Sequence, residues 1–196
     1  MAANTKSTKD VQIKDKIIDS ALKLAVLHGW GSVTLREIAV DADLSIAELY
    51  AHIDHKDDIL VLLGKVIDRQ VLENMDTPDD TANIRDRLFD IMMERYDVLN
   101  DYRDGIIAMF NDFKCDPKQI VIGMPYLCRS MSWMLESCGI ETSGVKGALK
   151  VAGLSGIYIK VLGTWAEDES PDLSKTMSAL DKALDKAESA ADMLGL

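Results

Sequence analysis

Between Thr34 and Lys56 the sequence writes two helix starts only eleven residues apart, and few folds can hold helices packed that tightly along a chain. Thr34 with Glu37, and Ser45 with Glu48, each have the spacing of a capping box. In such a box a hydroxyl accepts from an orphan amide at the third helical position while the carboxylate returns to the cap's own amide. Ala42, Asp43 and Leu44 leave a turn of three or four residues between the two helices. A turn that short suits two helices crossing steeply rather than an antiparallel hairpin. The pattern predicts a helix-turn-helix whose second helix is short and partly exposed.

The rest of the chain reads as helix. Ile17, Ala21, Leu24 and Ala25 fall on one face of a helix from about Val11 to His28, which Gly29 stops. Asp54 caps a helix that continues to about Asn74, with Asp57 and Asp58 in the first turn where the macrodipole favours anions. The segment MDTPDD from Met75 to Asp80 breaks the periodicity. Helical patterns resume over about 80–99, 103–113, 117–138, 143–166 and 171–194, the last with Ser170 as cap and Pro171 at its first position. With 4 Pro in 196 residues and few β-branched runs, the fold class expected is all-α with about nine helices. The expected organisation is a disordered tail at 1–10, a three-helix helix-turn-helix domain at 11–74, and a helical ligand-binding and dimerisation domain at 80–196.

Ser45, Leu49, Tyr50, His52 and Lys56, in that order and just ahead of an apolar helix, resemble the N-terminal domain of TetR-type transcriptional regulators. The helix that ends at Gly29 before Trp30 is similar to the first helix of that family. The resemblance implies a homodimer that binds an operator DNA and is controlled by a small apolar ligand in the C-terminal domain. The residues expected to meet DNA are Thr34, Arg36, Ser45, Ile46, Ala47, Glu48, Tyr50, His52 and Lys56. Hydroxyls, imidazole and ammonium suit phosphate contacts, which set register. Ile46 and Ala47 suit thymine methyls and Glu48 a cytosine amine, contacts that carry sequence information.

Charge sits awkwardly with that expectation. The chain carries a net charge of −11, and its first sixty residues hold seven Lys or Arg against ten Asp or Glu. Affinity for DNA comes largely from positive charge meeting phosphate. No Lys or Arg lies on the reading helix.

In the C-terminal half Met93, Met109, Phe113, Met124, Trp133 and Tyr158 are expected to line a ligand cavity, thioethers and rings adapting well to irregular apolar guests. Leu173, Met177, Leu180 and Leu184 recur in steps of four and three, the seam of a coiled coil, which either packs inside its own domain or forms a dimer interface. A second resemblance covers LCRSMSWMLESCGIE and GIYIKVLGTWAEDESPDLSKTMSALDKAL, most of all Ser170-Pro171-Asp172 with Thr176 and Leu180. These are similar to the lipid-binding protein family that assists ubiquinone biosynthesis. That similarity implies an alternative: an accessory protein that keeps the helix-turn-helix fold without binding DNA, holds isoprenoid lipid, and meets a membrane surface through an amphipathic helix.

Other classes find little footing. MAANTKSTKD lacks the apolar stretch of a signal peptide, and no apolar run approaches the length of a membrane span, so a cytoplasmic protein is expected. Cys115, Cys128 and Cys138 include no C-x-x-C pair, which points away from a disulfide framework or a zinc site. There is no phosphate-binding glycine loop, nucleophile elbow or H-E-x-x-H, so neither an enzyme nor a metal or cofactor site is expected.

Overall fold

The computed structural model describes residues 2–75, 83–114 and 117–194. Among the described residues there are nine α-helices and no strand: α1 (Ala2–His28), α2 (Leu35–Asp41), α3 (Ile46–Tyr50), α4 (Asp58–Asn74), α5 (Ile84–Asn100), α6 (Arg103–Lys114), α7 (Pro117–Ser137), α8 (Gly144–Ala166) and α9 (Ser174–Leu194), with a 3-10 turn at Trp30–Ser32. Helix α1 begins at Ala2, well ahead of the apolar stripe that starts its packed part. The first ten residues are polar but contain neither Gly nor Pro, so nothing in them ends the hydrogen-bond ladder. Most of the segment read as a break, 76–80, lies outside the described residues.

The chain forms two compact units, and they do not follow the linear order of the sequence. One holds residues 1–65 with 102–123, the other 66–101 with 124–196. In the first unit α6 packs on α1, although the sequence places it far downstream. Gly105 permits the approach: a Cβ there would stand 2.6 Å from the Leu22 side chain. The core of this unit is Ile17, Ile18, Ala21, Leu22, Trp30, Ile38, Leu49, Ile59 and Met109, all buried. Ile38 from α2 and Leu49 from α3 close over α1, which fixes the helix-turn-helix to a rigid base.

In the second unit α9 packs against α5 and α8. Leu180 is 0% exposed, and Leu184 and Leu173 are also buried. The steps of four and three therefore seal a seam inside this unit, and of the four seam residues named only Met177 is exposed. On an adjacent face Asp181 and Asp185 both receive the Arg85 guanidinium of α5. Helix α9 starts at Ser174 rather than at Pro171, because a different residue supplies the acceptors. The Asp168 carboxylate takes the Thr176 amide and hydroxyl at 2.8 Å each, together with the Ser170 amide and hydroxyl, while Ser170 Oγ accepts from the Ser174 amide. Burial pushes the Asp168 carboxyl up, but the donors from Ser170 and Thr176 outweigh it and hold the group well below the usual carboxylate range. Leu173, between Asp172 and α9, has a left-handed φ of 50°, a conformation an L side chain adopts only when its surroundings impose it.

Candidate nucleic-acid interface

Both capping boxes form as their spacing dictates. Thr34 Oγ1 accepts from the Glu37 amide while Glu37 Oε2 takes the Thr34 amide at 2.8 Å. Ser45 Oγ accepts from the Glu48 amide at 3.2 Å while Glu48 Oε2 takes the Ser45 amide at 2.9 Å. Hydrogen bonds from Thr34 hold the Glu37 carboxyl below its ordinary range. Between the boxes α2 ends in a Schellman turn. The Leu44 amide reaches Ala39 O, the Asp43 amide reaches Val40 O, and Asp43 takes the left-handed φ of 55° that this turn requires. Asp tolerates that region better than most non-glycine residues, which lets a chain without glycine here still make the tight turn.

Helix α3 is five residues long and buries Leu49 alone. Ile46 is 56% exposed, Tyr50 is 69% exposed, and Ala47, Glu48 and the C-cap Ala51 are exposed with them. Thr34, Arg36 and Ser45 are exposed as well. Arg36 has no ion pair among the described residues. Thus seven of the nine residues expected to meet DNA lie on one exposed stretch of helix-turn-helix.

The other two, His52 and Lys56, are half-buried. His52 Nδ1 lies 3.3 Å from Asp10 of α1. The Lys56 ammonium donates to Val33 O at 2.8 Å and to Trp30 O, and sits 4.5 Å from the centre of the Trp30 ring. Burial lowers its pKa below the usual lysine value, against the pull of Asp57, Asp112 and Glu37. Lys56 thus ties the turn after α1 to the loop before α4. On the other side of that turn the Gly31 amide donates to Asp112 of α6 at 2.8 Å, and Gly29 provides the left-handed φ of 76° that turns the chain out of α1.

The residues expected to form a ligand cavity are divided between the two units. Met109 is buried in the first unit, and the side chain of Phe113 lies outside the described residues. In the second unit Trp133 is 59% exposed, Met124 is half-buried, and Tyr158 is buried with its ring stacked 5.7 Å from that of Tyr96. Met93 borders a groove of about 330 Å³, which it shares with Met75, Asp90, Glu94, Asp97, Asp172 and Leu173.

Sequence reading did not find the polar cluster in the core of this second unit. Asp68 of α4 accepts from Arg95 of α5 and from Ser130 of α7, and the Arg95 guanidinium lies over the Tyr158 ring. An Asp and an Arg twenty-seven positions apart give no local signal that they pair. Nor did sequence reading pick out which positions of α8 face outward: Val145, Leu149, Ala152, Gly156 and Ile159 are exposed at steps of four and three.

Comparison with known proteins agrees with this geometry. Residues 17–63 match the family described as bacterial regulatory proteins, tetR family. The fold is similar to that of a TetR transcriptional regulator from Nitrosomonas europaea, with a TM-score of 0.68 at 20% identity over 89% of this chain and 97% of that one. It is also similar to a TetR transcriptional regulator from Rhodococcus sp. RHA1, with a TM-score of 0.63 at 17% identity over 90% and 96%. A comparison with curated proteins finds no match. None of these similarities speaks for the ubiquinone-biosynthesis proteins, and the Ser170-Pro171-Asp172 segment has a local role in starting α9. Residues 17–63 therefore match the N-terminal domain of the tetR family, on a chain whose fold is similar to that of TetR transcriptional regulators.

Proposed function

We propose that the chain is a dimeric DNA-binding transcriptional regulator in which two copies offer their helix-turn-helices to two halves of an operator. One observation carries the reading. Helix α3 is clamped at its start by a reciprocal cap and turns Ile46, Ala47, Tyr50 and Ala51 outward, within the segment that matches the TetR family. In this reading Thr34, Arg36, Tyr50 and His52 meet phosphate or sugar, and the short helix meets base edges. Lys56 serves this interface by holding its supporting turn in place.

The dimer surface in this reading is the outward face of α8 with Tyr126 and Trp133 of α7, since Leu180 and Leu184 are already buried in their own chain. The exposed Gly156 on that face, where an added Cβ meets nothing within 4 Å, lets a partner helix come close. A small apolar ligand of the second unit, with Met93 among its contacts, would act by favouring one spacing of the two heads over another. The test is fluorescence anisotropy of the purified protein with duplexes from its own upstream region at low salt, alongside light scattering. A dimer that retains one of these duplexes supports the reading, and a folded dimer that retains none refutes it.

A further inference from the structure

The hydrogen-bonding groups of α3 are largely engaged with one another, and this bears on which bases the helix can read. The two polar side chains of its first turn face each other: Ser45 Oγ lies 2.7 Å from Glu48 Oε2 and accepts from the Glu48 amide, while Glu48 Oε2 also takes the Ser45 amide. The residues from Ser45 to Ala51 include no Arg, Lys, Asn or Gln. Those are the side chains that recognise guanine and adenine edges through paired hydrogen bonds. Apart from Ser45 and Glu48, which cap each other, the helix turns outward the Ile46 side chain and the methyls of Ala47 and Ala51, with the Tyr50 ring at its end. In the major groove one base carries an alkyl group at its edge, and it is thymine, through its C5 methyl.

Charge points the same way. From Thr34 to Ala51 the only cation is Arg36, against Glu37, Asp41, Asp43 and Glu48. With so little attraction for phosphate, discrimination between sites rests on fit at the base edges.

We propose that Ile46, Ala47 and Ala51 make this helix a reader of thymine methyl groups, so that each operator half-site presents thymines where these side chains enter the groove. The proposal rests on the reading of the chain as a DNA binder and adds the base it selects and the atoms that select it. Ile46 is the main determinant, because it offers the largest exposed alkyl surface of the three. Ala47 and Ala51 are short enough to let the duplex approach and cover adjacent methyls.

The experiment uses the full chain and a random duplex pool. Sites are selected at low salt, and each thymine of the selected site is then replaced by deoxyuracil, which removes the methyl and keeps every hydrogen-bonding atom of the base edge. Burial of one methyl corresponds to about a fourfold change in affinity. At each contacted thymine the replacement is expected to weaken binding by about that factor. In Ile46→Ala, which should melt like the parent because the side chain is exposed, the same replacement loses its effect at the position Ile46 covers and keeps it elsewhere. Selected sites bound equally well with uracil throughout would overturn the proposal while leaving DNA binding intact, as would half-sites with guanine and cytosine alone at the contacted positions. Retention of no duplex from the pool by a folded protein would overturn the DNA-binding reading and this proposal together.

Discussion

The Lys56 ammonium lies 4.5 Å from the centre of the Trp30 ring and donates to the Val33 carbonyl, so it bridges the two ends of the segment that leads into α2. In the proposed reading a lysine held this way acts through the turn it braces. Lys56→Met leaves buried carbonyls without a donor and should destabilise the first unit by about 1–3 kcal/mol, read from urea denaturation. Its salt dependence of DNA binding should match the parent's. Arg36→Ala should do the opposite: little change in stability, and a salt slope lowered by about 1, read from titrations at several salt concentrations.

Asp68 binds both Arg95 and Ser130 in the second unit, and the Arg95 side chain is only 4% exposed. Removing one member of such a pair strands the other. Asp68→Leu should cost about 3–5 kcal/mol, whereas Asp68→Leu with Arg95→Met should cost clearly less, because the stranded charge goes too. A double-mutant cycle in urea measures the difference. Additive losses would show that the pair is not coupled.

Asp168 gives α9 its start, and its effect should depend on pH in one direction. Its carboxyl in the folded chain titrates below the ordinary value of 3.8, so its stabilisation is fully present above that value and fades as pH falls toward the lower one. Asp168→Asn should therefore be less stable than the parent by about 1–2 kcal/mol at pH 7. The gap between their melting temperatures should narrow at pH 3.

The outward face of α8 should be where two copies meet. A charge placed there has no core to disrupt, since Leu149 is 51% exposed and Val145 is 79% exposed. Leu149→Glu should shift the protein from dimer to monomer in light scattering with its helical circular dichroism unchanged. Leu180→Glu, by contrast, should lose helix, because Leu180 is wholly buried in its own chain. A Leu149→Glu protein that stays dimeric would move the interface elsewhere.

How far the sequence could be read depended on how local each cause was. Thr34 with Glu37 and Ser45 with Glu48 act over three residues, and both caps stand where their spacing put them. Gly29 ends α1 because one backbone position needs a left-handed φ. By the same measure Lys56 was legible as a position, while its contacts were not. A lysine before an apolar helix looks the same in sequence whether its ammonium points at solvent or at a carbonyl twenty-three residues upstream.

The second unit shows the limit more plainly. The steps from Leu173 to Leu184 establish that α9 has one apolar face, and periodicity says nothing about whether α5 and α8 or another molecule covers it. The structure decides that α5 and α8 do.

By itself, then, the sequence determined the all-α class, the helix-turn-helix between Thr34 and Lys56, and the largely alkyl character of its second helix. All three follow from propensity, capping and composition within a turn or two of chain. Only the tertiary structure decided that α6 joins the first unit, that Lys56 faces inward, that Asp68 pairs with Arg95, and that α8 rather than the leucine seam of α9 keeps an uncovered apolar face. Each of these is a choice among partners far apart in the chain, made by close packing and by the cost of leaving a buried charge or carbonyl unpaired.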